Sequence, residues 1–123
     1  NEQFIIPDDS KEIDPHFLVR LNELGGPKLV AELIAMYFVR GSVLLDTIIT
    51  GIESEDYEAV KNASHSLISS AGNLGGKHVS ELSVALEAAA IEKSAETLSD
   101  LKEALIGAQK LFEQYLHGAS GQI

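Results

Sequence analysis

The chain has 123 residues, with 9 Lys+Arg against 19 Asp+Glu, 4 His and no Cys. That is one domain's length, and 45% hydrophobic with 23% charged residues is enough to build a core without covalent staples. The missing cysteines exclude disulfide scaffolds, thiolate nucleophiles and Cys-ligated metals, and a net charge of -10 argues against a nucleic-acid partner or direct membrane contact.

In chain order, residues 1–13 lack a sustained period and contain Pro7-Asp8-Asp9-Ser10, so they read as a linker or N-terminal extension; Phe4, Ile5 and Ile6 are apolar enough to dock on a neighbouring surface. Asp14-Pro15 offers an N-cap with proline at the first helical position, and Gly25-Gly26 a stop. Phe17, Leu18, Leu21 and Leu24 would face inward from that short helix. Pro27 opens a longer one, in which Val30, Leu33, Ile34, Tyr37, Gly41, Leu44, Leu45, Ile48 and Ile52 recur at helical spacing. Gly41 on that apolar face predicts close approach of a neighbouring helix.

Ser54 is the expected cap of a third helix through Val60, Leu67, Ala71 and Leu74, which stops at Gly75-Gly76. A fourth carries Val79, Leu82, Leu86 and Ala90 inward. Ser94 caps a fifth, with Leu98, Leu101, Leu105, Ala108, Phe112 and Tyr115 on one face and Gly118 at its end. No segment alternates as a strand does, and no apolar run approaches the ~20 residues of a membrane span. The expected fold is all-α: an antiparallel four-helix bundle over residues 14–118 with a short N-terminal capping helix, followed by a tail at 119–123.

Residue types dismiss several chemistries. Gly72-Asn73-Leu74-Gly75-Gly76 has glycines without the strand–loop–helix setting of a phosphate loop. There is no Glu-x-x-His pair for a di-iron bundle, and no zincin or serine-elbow motif. No metal site and no intrinsic cofactor are expected. His16 and His78 flank helix starts, and His117 is placed to favour a helix C-terminus; all three read as structural or surface residues.

His65 differs. With Tyr57 at zero and about 100° per residue, Val60, Ala63, Ser64, Leu67, Ala71 and Leu74 fall between about 240° and 340°, and His65 near 80°, away from the core. Lys61 lies one turn before it, and Ser69 and Gly72 one and two turns after. Serines and glycines are poor helix formers. Their concentration around a mid-helix, solvent-facing imidazole points to a surface shaped for close approach by another protein. Tight packing against a neighbouring helix is the competing explanation, and it accounts for Ala71 without accounting for Ser69.

The run Ser64-His65-Ser66-Leu67-Ile68-Ser69-Ser70-Ala71-Gly72-Asn73-Leu74-Gly75-Gly76 resembles the histidine-containing phosphotransfer (Hpt) domain, whose pattern is Ala-His-x-Leu-Lys-Gly-Ser-Ser/Ala with Leu-Gly-Ala a few residues on. Ile13-Asp14-Pro15, Leu24-Gly25-Gly26 and Leu29-Val30-x-Glu32-Leu33 look like the family's opening helices, and Leu82 with Leu86-Glu87 its fourth. The resemblance implies that His65 accepts a phosphoryl group from a receiver-domain aspartate, or from a histidine kinase, and passes it on reversibly. It implies no autonomous kinase activity, a Mg2+ ion on the receiver and not on this chain, and a cytoplasmic setting, either alone or as the C-terminal part of a membrane-anchored hybrid sensor kinase. The start at Asn1, with Met36 the only methionine, fits excision from a longer protein. Ile68 and Ser69 stand where the family usually has lysine and glycine. Lys61 is a candidate to replace the lost charge, and Ile68 to add apolar contact with the partner. The same departures suit an alternative, a docking module that binds a signalling partner without being phosphorylated.

Overall fold

The computed structural model describes residues 13–122; the apolar Phe4-Ile5-Ile6 segment and the rest of the expected linker before Ile13 lie outside them. Four helices follow one another: α1 (His16–Glu53), α2 (Tyr57–Gly72), α3 (Lys77–Glu92) and α4 (Ala95–Gln122), with no strand among the described residues. Each packs on its neighbours in chain order and α4 closes on α1, which makes an up-down-up-down bundle.

The expected capping helix is the first segment of α1. The helix is broken at Gly26, whose φ of 77° and ψ of -178° are non-helical. A residue with a Cβ resists that φ, and Pro27 then begins the long segment at a position where its missing N–H is harmless. Ile13 is not linker: it is 1% exposed and belongs to the core. The next residue ties the start of α1 to the turn between α2 and α3, since the Asp14 N–H donates to the Gly75 carbonyl at 2.8 Å. Gly75 has φ +92°, and a Cβ there would run into the Asp14 carbonyl. The turn between α2 and α3 therefore needs glycine for two separate reasons.

The inward faces follow the sequence periodicity. Val60, Ala63, Ser64, Leu67, Ala71 and Leu74 are all buried, as are Val30, Ile34, Tyr37, Gly41, Leu44 and Ile48 on α1 and Leu98, Leu105, Ala108, Phe112 and Tyr115 on α4. Gly41 makes room for a cross-bundle bond: a Cβ would stand 2.9 Å from Tyr37 Cζ and 3.1 Å from Gln109 Nε2. There the buried Tyr37 hydroxyl donates to Gln109 Oε1 at 2.6 Å, and its ring meets Phe112 edge-on.

Four local expectations are corrected. Leu24 points outward, 76% exposed, because the turn at Gly26 carries it off the core. Asp56, not Ser54, caps α2 by accepting from the Ala59 N–H, while Ser54 closes α1 with its hydroxyl on the Thr50 carbonyl. Gly118 does not end the last helix, and residues 119–122 are helical instead of a tail. Burial of Leu116 and Ala119 on either side offsets the roughly 1 kcal/mol that a helical glycine costs. His117 is consequently not at a helix end; its ring lies against Phe38 with centroids 4.4 Å apart.

One stretch of α1 reaches a mean hydropathy of 1.5, enough for a membrane span by length and composition. The sequence expectation counted uninterrupted apolar runs and found none near the ~20 residues of a span. In the fold, one face of the helix is core, and Met36, Val39 and Val43 remain exposed on another.

Candidate functional site

His65 sits in the middle of α2 with its side chain 73% exposed, on the side the periodicity assigns to solvent. What the periodicity could not supply is its partner. Nδ1 of His65 lies 3.0 Å from Glu87 Oε2 on α3, and the Glu87 side chain is itself 27% exposed. A carboxylate only accepts, so the hydrogen resides on Nδ1. In the neutral ring the lone pair is then on Nε2, the nitrogen on the other side of the ring from Nδ1. The ring is held from one side and free for attack from the other.

Small residues along the α2–α3 seam let Glu87 reach. Gly72 stands opposite Ser80, whose Oγ would be 3.3 Å from a Cβ at position 72 and donates to the Ile68 carbonyl at 2.8 Å. Ser83 is fully buried on the same seam and returns its hydroxyl to Val79. Helix axes usually stand 8–10 Å apart according to the side chains between them, and small serine and glycine side chains favour the close end of that range. Tight packing thus explains Gly72 and Ala71, and Ser70 is half-buried with its hydroxyl on the Ser66 carbonyl. Ser69 is exposed, and helix packing gives no reason for it.

The other sequence candidates take distinct places. Lys61 is near the site in register, but its ammonium pairs with Glu58 at 2.9 Å. Ile68 is half-buried at the edge of the seam. Ser64, beside His65 in sequence, is fully buried, and its hydroxyl has no hydrogen-bond partner among the described residues. His16 and His117 are exposed, and His78 is half-buried at the start of α3. Among the described residues no group of acidic or histidine side chains is arranged to hold a metal ion.

Glu87 is the residue beside His65 that the sequence left unassigned. It was visible only as part of a fourth-helix match, with nothing to say that it reaches the histidine, because the two are 22 positions apart.

A family model described as "Hpt domain" matches residues 32–119. The fold superposes on the crystal structure of histidine-containing phosphotransfer protein B (HptB) from Pseudomonas aeruginosa PAO1 with a TM-score of 0.87, over 94% of this chain and 99% of that one, at 15% identity. At that identity the likeness is one of fold. No curated protein sequence matches significantly.

Proposed function

The chain belongs to the Hpt domain family and has a histidine phosphotransfer role in a phosphorelay, and on that premise we propose that His65 is the phosphoryl acceptor and Glu87 its positioning residue. The observation that carries the proposal is the bond between Nδ1 and Glu87 on a side chain that is 73% exposed, which in the neutral ring puts the lone pair on Nε2.

Nε2 attacks the phosphorus of an aspartyl phosphate on the receiver. The N–P bond forms as the acyl O–P bond breaks, and the aspartate leaves as a carboxylate, so no proton need reach the leaving group. Positive charge grows on the imidazole as the bond forms, and the Glu87 carboxylate at Nδ1 stabilises it. Phosphoryl transfer depends mainly on alignment and charge stabilisation, which is why one oriented histidine on a bundle suffices. Reversal uses the same contacts. The magnesium ion belongs, on this reading, to the receiver, as does the lysine that neutralises the phosphoryl oxygens.

Lys61 is the chain's own candidate for such charge. Its pair with Glu58 is an i,i+3 pair at the surface, 35% and 72% exposed, and such pairs are worth about 0.5 kcal/mol or less. The ammonium can leave Glu58 for a phosphoryl oxygen at small cost. Lys61→Ala should slow transfer about threefold while Glu58→Ala does not slow it; an unchanged rate in Lys61→Ala removes the idea.

The partners are proposed to be a receiver domain, with or without a cognate histidine kinase, in the cytoplasm. A docking module that is never phosphorylated is not favoured, since nothing about docking alone needs a histidine oriented by a carboxylate. The deciding experiment is transfer from receiver domains charged with acetyl phosphate, with His65→Gln alongside. The expected product is an acid-labile, base-stable phosphate that is missing from the variant. Label retained in His65→Gln would move the acceptor elsewhere.

A further inference from the structure

We propose that the groove between the two segments of α1 and the end of α2 is the seat of this chain's own N-terminal segment. Phe4, Ile5 and Ile6 fill it, and Asp8 and Asp9 meet Arg40 and Arg20 at its rim. The segment is then a strap in cis: it holds the two parts of α1 together across the joint at Gly26 and denies the groove to other apolar peptides.

The groove has a volume of about 600 Å³, a size that takes several large apolar groups. Its walls are Phe17 and Leu21 from the first segment of α1, Leu33 and Met36 from the second, and Leu74 from the end of α2. Phe17, Leu21 and Leu33 are only half-buried, and Met36 is 64% exposed. Apolar surface gathered in one concavity favours whatever covers it.

The rim says what chemistry the cover has. The chain's two arginines are Arg20 and Arg40, and both are here. Arg40 lines the groove, and the Arg20 guanidinium lies 5.5 Å from the ring centroid of Phe17. Both are exposed, and neither pairs with an acid among the described residues. In a chain with a net charge of -10, two such arginines beside an apolar groove suit an occupant that is apolar first and acidic next. Phe4-Ile5-Ile6-Pro7-Asp8-Asp9 has that order.

The attachment point makes the placement possible. Ile13 is in the core, and Asp14 is bonded to Gly75, the residue after Leu74 of the groove wall. The tether is thus fixed at the groove's edge. From Ile13 back to Ile6 an extended chain covers up to about 25 Å, whereas Leu33 to Arg40 take up about 10 Å of α1. Reach is ample. So short a tether also gives the segment an effective concentration on the order of millimolar, which a separate peptide or a second copy would have to exceed.

The test uses the full chain carrying a nitroxide on Gln3→Cys, a unique attachment site because the sequence has no cysteine. Met36 is the only methionine, so its 13C-labelled methyl group is a single reporter signal. The nitroxide should erase that signal, and its reduction should restore it. The amide of Lys93, in the turn between α3 and α4, should be unaffected. Phe4→Ser/Ile6→Ser should bring the methyl signal back with the nitroxide still oxidised. Arg40→Glu and Asp8→Lys/Asp9→Lys should each bring back part of it, and their combination should lose it again. A Met36 signal that persists beside the oxidised nitroxide overturns the proposal, as does a loss that survives Phe4→Ser/Ile6→Ser. A combined charge swap no tighter than either parent overturns the pairing at the rim. Mixing nitroxide-bearing chain with nitroxide-free, 13C-methyl-labelled chain reveals the other occupant: loss of the Met36 signal there would seat the segment of a second copy in the groove and overturn the assignment in cis.

Discussion

Replacing Glu87 by alanine removes the carboxylate that meets the His65 ring, and the size of the effect can be worked from the geometry. The Nδ1–Oε2 distance is 3.0 Å. Charge that develops on the imidazole during attack is centred a little farther away, near 4 Å. Two unit charges at that separation interact by about 1 kcal/mol in water and about 4 kcal/mol at an effective dielectric of 20. His65 is largely exposed, so screening holds the figure toward the lower end, at about 1–2 kcal/mol. The expected loss is therefore about five- to thirtyfold in the rate of transfer from a saturating receiver. The half-saturating receiver concentration should change little, because Glu87 acts through the ring. Glu87→Gln keeps an acceptor for Nδ1–H but no charge, and should fall between wild type and alanine. Long-range 1H–15N spectra of the imidazole supply a second readout that a merely structural role would not move. Wild type should show Nδ1 protonated and Nε2 bare, and Glu87→Ala a mixture of tautomers. A Glu87→Ala rate within twofold of wild type, with a mixed tautomer, would show that ring orientation does not limit transfer and would refute the reasoning.

Two buried tyrosines should behave differently. Tyr37→Phe strands Gln109 Oε1 in the core and should cost about 1–3 kcal/mol by denaturant unfolding. Tyr115→Phe removes a buried hydroxyl that has no hydrogen-bond partner among the described residues and should be neutral or stabilising; equal losses at the two sites would refute this. Burial first, and then the charge of Asp14, pushes Tyr115 up to about 12 from an ordinary value of 10.0. The folded chain thus keeps a proton that the unfolded chain releases from about pH 10. The associated stability is complete below that pH and is lost as pH rises toward 12, by at most about 3 kcal/mol. Burial raises Tyr37 as well, so Tyr115→Phe should make the alkaline loss shallower without abolishing it, and an unchanged slope from pH 9 to 12 would count against the assignment. Gly75→Ala meets both an unfavourable φ and the Asp14 carbonyl, and should cost about 2 kcal/mol or more; a melting temperature within one degree of wild type would contradict the fit.

By itself the sequence determined the inward faces. Periodicity is a local property, set by 3.6 residues per turn, so the five buried positions of α2, the buried α4 residues and the exposure of His65 could all be counted off the chain. Ends were legible where one residue has a single conformational use, as at Gly26 and Gly75. They were misjudged at Ser54 and Gly118, where burial of neighbouring residues outweighs a local preference of about 1 kcal/mol. What only the tertiary structure decided is the company His65 keeps. Its pairing with Glu87 depends on how far α3 slides along α2. That offset comes from the four-residue turn Asn73–Gly76 and from Ser80 seated against Gly72. A histidine on a solvent-facing helix position is written in the chain; a histidine whose Nδ1 is held by a carboxylate exists only once two helices have packed.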